Sequence, residues 1–161
     1  MGFATHLGPW LLGTVKDTTG TTVGTIRNTG ATVVSQTNTL TFANTTAKNM
    51  FVLPAGAQIL SIIIDIGAVF NSSGTDLIDI GTTADGAYYV NDAVASATGH
   101  FVATLVPANI AGVLNVGTVD VQITATYVQS VADATTGSAS VTVNYVVKNP
   151  DGGAFPTAFQ N

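Results

Sequence analysis

From Thr118 to Val128 the chain alternates without interruption: Val119, Val121, Ile123, Ala125 and Tyr127 face one way, Asp120, Gln122, Thr124 and Thr126 the other. A period of two with β-branched residues on one side predicts a half-buried strand. The same pattern returns in Ser140 to Val147, where Val141, Val143, Tyr145 and Val147 form the inward set. The polar stretch Gln129 to Ser138 between them predicts an antiparallel hairpin with a long loop.

Shorter periodic runs precede these. In Gln36 to Phe42, Thr37, Thr39 and Thr41 oppose Asn38, Leu40 and Phe42, and Met50 to Leu53 is an apolar strand closed by Pro54-Ala55-Gly56. Gln58 to Phe70 carries Ile, Leu and Val on both faces, which predicts a central strand covered on both sides or buried outside by a neighbouring subunit. After the turn Asn71-Ser72-Ser73-Gly74 comes a short strand, Asp76 to Ile80. Gly81 to Thr98 lacks clear alternation and suggests a loop with a helical turn around Ala93 to Ala97. His100 to Val106 resumes as strand and stops at Pro107.

No helical period lasts three turns. About eight short strands with turns between them predict an all-β fold: one antiparallel β-sandwich, jelly-roll-like, over residues 33–148. Residues 1–32 are rich in Gly and Thr and poor in large apolar residues, which predicts an extended N-terminal arm or edge hairpin. Within them Gly13-Thr14-Val15-Lys16-Asp17 is echoed by Gly24-Thr25-Ile26-Arg27-Asn28. Residues 149–161 form a tail holding Phe155 and Phe159.

Charge narrows the function classes. Only 8% of the 161 residues are charged, and all nine acids are Asp, against about 25% charged residues in an ordinary soluble domain. A mean hydropathy of +0.43 excludes the composition of disorder. The net charge of −5 argues against a nucleic-acid partner. The most apolar stretch, Ile59 to Phe70, is interrupted by Asp65 and too short to span a membrane, and the N-terminus has neither a signal-peptide pattern nor a myristoylation motif. Without cysteine there is no disulfide framework or thiol chemistry. A hydrophobic chain this short of charge is expected to be covered by partners in its working state.

Candidate chemistry is sparse. His6 and His100 are the histidines, and no nucleophile-elbow motif accompanies them, so catalysis and a cofactor are not expected. Asp76 and Asp79 fall on opposite faces of a strand, unlike a paired-carboxylate site, although Asp79 and Asp85 could approach across a turn. Asp76, Asp79, Thr82, Thr83, Asp85 and Asn91 offer oxygens for calcium but match no calcium-loop spacing, and the simpler role is turn formation. Trp10, alone of its kind and set beside Gly8-Pro9, suits an anchor inserted into a pocket of its own domain or a neighbour.

Leu7-Gly8-Pro9-Trp10, Gly13-Thr14-Val15-Lys16 and Gly24-Thr25-Ile26-Arg27-Asn28, with Val52-Leu53-Pro54-Ala55-Gly56, Asp79-Ile80-Gly81-Thr82-Thr83-Ala84-Asp85-Gly86 and Thr142-Val143-Asn144-Tyr145-Val146-Val147, resemble small structural proteins of tailed bacteriophages, especially aquatic ones. The resemblance implies a non-enzymatic virion component on the outer surface of the capsid, a decoration, cement or head-fibre-like protein. It implies a homo-oligomer, typically a trimer, bound to the major capsid protein. On that reading Trp10, Lys16 and Arg27 are the partner-binding residues of the arm. The alternative is host adhesion, with loops 81–98 and 129–138 contacting a receptor or glycan through Tyr88 and Tyr89.

Overall fold

The computed structural model describes residues 33–147. Eight strands alternate with short connections: β1 (Val33–Thr41), β2 (Lys48–Leu53), β3 (Ala57–Ala68), β4 (Asp76–Thr82), β5 (Val90–Val94), β6 (Gly99–Val102), β7 (Val121–Gln129) and β8 (Ser138–Val147). They form two four-stranded sheets of order β1-β8-β3-β6 and β2-β7-β4-β5. Every pairing is antiparallel. The predicted all-β antiparallel sandwich is therefore observed.

The core is the slab between the sheets. Leu40, Ile59, Ile62, Ile64, Val141 and Val143 enter it from the first sheet, and Leu53, Ile78, Ile80, Ile123 and Tyr127 from the second. Period-two alternation brings this about, since paired residues share a face; Leu40 lies opposite Ala139, and Ile64 opposite Val141. Each isoleucine taken from water contributes about 1.5–3 kcal/mol, which is why the alternating pattern dictates the register.

Some expectations are corrected. β7 and β8 do not pair; each is an inner strand of a different sheet, so residues 130–137 cross between sheets instead of closing a hairpin. Both strands have apolar residues enough to be inner strands, and each finds two neighbours rather than one another. No helical turn forms at Ala93 to Ala97: Ala93 and Val94 end the edge strand β5, bent where Asp92 takes φ 57°, and residues 95–97 belong to the connection that follows. The helix lies elsewhere, as a 3-10 turn Pro107–Asn109 leading into α1 (Ile110–Leu114), with Pro107 fixing the first turn. β6 ends at Val102, four residues short of the expected strand, though Ala103 N–H still donates to Ile62 O at 2.8 Å. Val119 (68% exposed) and Val147 (48% exposed) do not face inward: Val119 precedes β7, and Val147 is the last residue of β8.

β3 is an inner strand with one face in the core. Its outer side is open in the single chain, where Leu60 is 45% exposed at a register shift against β8.

Candidate interaction surfaces

The two long edges of the sandwich are treated differently. Along the β1/β2 edge, side chains reach across from one sheet to the other. Gln36 Nε2 donates to Val52 O at 3.1 Å and to Tyr145 Oη at 2.8 Å; Asn38 Nδ2 donates to Met50 O at 3.1 Å; Lys48 Nζ donates to Thr39 O. The amides thus occupy β2 carbonyls that an added strand would need, sealing this edge against pairing. The sequence signal was present, for Asn38 falls on the same side of β1 as Leu40. On the opposite edge β5 and β6 are only five and four residues long.

The outer face of the first sheet is uncharged over most of its width. Ser35 lies opposite Asn144, Thr37 opposite Thr142, and Thr39 opposite Ser140. The Thr37 and Thr142 hydroxyls bond at 2.8 Å, Ser35 Oγ bonds Asn144, and Asn144 Nδ2 donates to Ser61 Oγ at 3.0 Å. The carboxylate of this face is Asp65 on the inner strand β3, whose Oδ1 bonds His100 Nδ1 of the edge strand β6. The row runs Ser140, Asp65, His100 over three neighbouring strands. The carboxylate stands between hydroxyl and imidazole, the reverse of a nucleophile relay, which needs the imidazole in the middle.

The Asp-rich stretch does not converge on a point. Asp76 is buried and accepts from Tyr127 Oη and from Ser72 N–H at 3.1 Å. Asp79 accepts from Asp92 N–H at 2.8 Å, and Asp85 from Ala87 N–H at 3.1 Å. Burial pushes the Asp79 carboxyl up from its ordinary value; the Asp92 N–H opposes the rise and the Asp92 charge adds to it. No group of three or more His, Cys, Asp or Glu that could hold a metal occurs among the described residues. No helix among them is long and apolar enough to cross a membrane.

Tyr88 and Tyr89 pack into the body. Tyr89 is 2% exposed, its ring edge-on to Tyr88 at 5.0 Å and 84°. Tyr88 lies against α1, so close that a Cβ on Gly112 would stand 2.7 Å from its ring. Burial raises the Tyr89 hydroxyl to about 12. A glycan platform needs an open ring face, and Tyr89 has none. Trp10, Lys16 and Arg27 lie outside the described residues.

The connections 42–47, 69–75, 95–98 and 130–137 gather at one end of the sandwich. Phe42 N–H donates to Gly137 O at 3.0 Å, Phe70 N–H to Ala95 O at 3.3 Å, and Tyr127 N–H to Asn44 O at 2.8 Å. Asn71 ties two of them together, accepting from Thr135 and Thr136 N–H at 2.9 Å each and donating to Thr135 Oγ1 at 3.0 Å. An open hollow of about 220 Å³ lies here between Phe42, Thr45, Gln129, Asp133 and Ala134. Turn chemistry at Asn71 was legible in the sequence; its partners across more than sixty residues were not.

With this geometry in view, the fold has a known counterpart. The sandwich is similar in fold to a chain of a phage capsid. That chain belongs to the cyanophage Pam1 capsid asymmetric unit; the match has TM-score 0.56 and 19% identity, and covers 81% of this chain and 100% of that one. The capsid structure of Helicobacter pylori bacteriophage KHP30 gives TM-score 0.48 and 15% identity over 71% of this chain and 87% of that one. No protein-family model matches the chain, and no curated protein matches it.

Proposed function

We propose that the protein is a non-enzymatic structural component of a tailed-phage virion that decorates or cements the outside of the capsid. The observation that carries this is the strand order. Orders β1-β8-β3-β6 and β2-β7-β4-β5 make consecutive strands change sheet at every step but β4 to β5, the pattern of an eight-stranded jelly roll, an architecture of viral capsid and lectin domains. The likeness to a chain of the Pam1 capsid asymmetric unit, over the whole of that chain, supports the same reading.

Residues 1–32 act in this proposal as the arm that grips neighbouring capsid subunits, with Trp10, Lys16 and Arg27 as its contacts, and the protein works as a trimer. Strand addition by such an arm draws on backbone donors and acceptors, which suits a chain with few charged side chains. The described body offers broad uncharged surface for burial, and cementing needs area rather than a pocket.

Electron microscopy and quantitative mass spectrometry of purified particles test the proposal. The expected result is density for the sandwich on the outer shell, in a stoichiometry set by capsid symmetry. Particles lacking the chain, or density only inside the shell or on the tail, would overturn it. Deleting residues 1–32 is expected to abolish particle binding while leaving the sandwich folded; unchanged binding refutes the arm.

A further inference from the structure

Among the large apolar residues described, Val131 is the most exposed, at 89%. Its backbone is also unusual: φ is 74°, in the left-handed region that glycine adopts freely and a β-branched residue avoids. Ala132 N–H donates to Ser130 O at 3.1 Å, closing a three-residue γ-turn around Val131. With positive φ at its centre, that turn is the rare and strained form.

The turn is held firmly at both feet. Ser130 Oγ accepts from Thr75 N–H at 2.8 Å and bonds Thr75 Oγ1 at 2.9 Å. Gly74 lies so close that a Cβ there would stand 2.2 Å from Ser130 Oγ and 2.9 Å from Val131 Cγ2. On the far side Gln129 Nε2 donates to Asp133 Oδ1 at 2.8 Å and Gln129 Oε1 accepts from Ala134 N–H at 2.8 Å. Strain of this kind persists where the surroundings over-determine it, and it clusters at functional positions such as active sites, ligand clamps and switch regions. Here the strained position holds an isopropyl group out in water, where glycine would serve the turn better.

We propose that Val131 is an apolar anchor that inserts into a pocket on a neighbouring virion subunit different from this chain, with Asp133 beside it accepting from a donor on that subunit's rim. The proposal rests on the virion reading above. Charge selects a different protein over a second copy. A second copy of the whole chain brings nine Asp against four Lys and Arg, a net charge of −5, and the ammonium of Lys48 is bonded to Thr39 O. A copy of so acidic a chain is a poor match for Asp133, whereas a basic rim complements it.

The test uses phage grown with the wild-type chain, Val131→Asp, Val131→Gly or Val131→Ile, with chain occupancy measured on purified particles and melting measured on each free protein. Wild type and Val131→Ile are expected on the particle. Val131→Asp is expected to bind about 30-fold more weakly, as for loss of a central anchor. Val131→Gly should melt higher than wild type yet bind particles more weakly, opposite signs that a purely structural role would not give. Wild-type occupancy for both the Asp and Gly variants overturns the anchor and leaves the virion reading standing. Absence of the wild-type chain from particles overturns the virion reading itself. A change in the solution mass of the free chain on Val131→Asp would make the partner a second copy, and so overturn the choice of partner.

Discussion

Replacing Tyr127 with Phe isolates a buried polar couple of the core. Tyr127 is 1% exposed, its ring stacks at 4.5 Å and 36° on Phe70, and its hydroxyl donates to Asp76, which is 5% exposed. Phe keeps the ring and removes the donor, leaving Asp76 Oδ1 with the Ser72 N–H. A hydrogen bond to a charged group is worth about 1.5–3 kcal/mol, so Tyr127→Phe is expected to cost about 2 kcal/mol at pH 7. The alkaline limb gives a second, independent reading. Burial, and then the bond to Asp76, push the Tyr127 hydroxyl from 10.0 to about 12. A pKa raised on folding means that the folded state holds its proton longer. Stability from this group is therefore complete below pH 10 and lost as pH rises through 12. Each pKa unit is about 1.4 kcal/mol, so the full loss is on the order of 3 kcal/mol. Tyr89, also raised to about 12, contributes a like slope. Urea melts between pH 8 and about pH 12 should show stability falling above pH 10, with the slope roughly halved in Tyr127→Phe. A variant within about 0.5 kcal/mol of wild type at pH 7, or with an undiminished alkaline slope, would refute the buried couple.

Gly137→Ala should cost at least about 2 kcal/mol in a thermal or urea melt, because φ is 143° there and the new Cβ would stand 2.4 Å from Phe70 Cδ1. Asn38→Leu leaves Met50 O without the amide at 3.1 Å; a loss of about 1 kcal/mol is expected, with faster growth of light scattering as the β1/β2 edge opens. Asp79→Asn should raise stability slightly at pH 7, the half-exposed site being screened. A carboxyl raised on folding costs stability as pH climbs above its unfolded value of 3.8, so the gain should vanish in melts below that pH. Asp65→Asn, which breaks the exposed pair with His100, should change stability by less than about 1 kcal/mol.

The sandwich was legible because its signal is local. Alternation in Thr118 to Val128 and Ser140 to Val147 marks the face turned to the core, and the core positions Ile123, Tyr127, Val141 and Val143 follow from it, although Val119 and Val147 are exposed at the strand ends and Thr124 on the polar side is buried. Pairing is not local, so two adjacent strands with good inward faces suggested a hairpin although each prefers two other neighbours. β5 escaped because Asp92, at φ 57°, breaks its alternation. Tyr88 and Tyr89 stood out as a possible stacking pair, yet adjacent aromatics over a short helix are also how a sandwich closes its end. Val131 gave no sequence signal at all. A lone valine in a polar loop is ordinary until the backbone angle and the Thr75–Ser130 bonds are seen.

The scarcity of charge acquires a physical meaning once the faces are assigned. Bringing a charged group into an interface costs several kcal/mol unless it is paired, while hydroxyls and amides that already satisfy one another cost far less to dehydrate. The outer face of the first sheet pairs Thr37 with Thr142, Ser35 with Asn144 and Asn144 with Ser61. Its one carboxylate, Asp65, is bonded to the His100 imidazole of the edge strand β6. Such a face can be covered without stranding a charge, and the amides along the β1/β2 edge keep the uncovered molecule from pairing strand to strand in the meantime. Low charge would ordinarily invite that aggregation, so the two features belong together: the occupied β2 carbonyls hinder strand pairing in a body whose outer face carries little charge to prevent it.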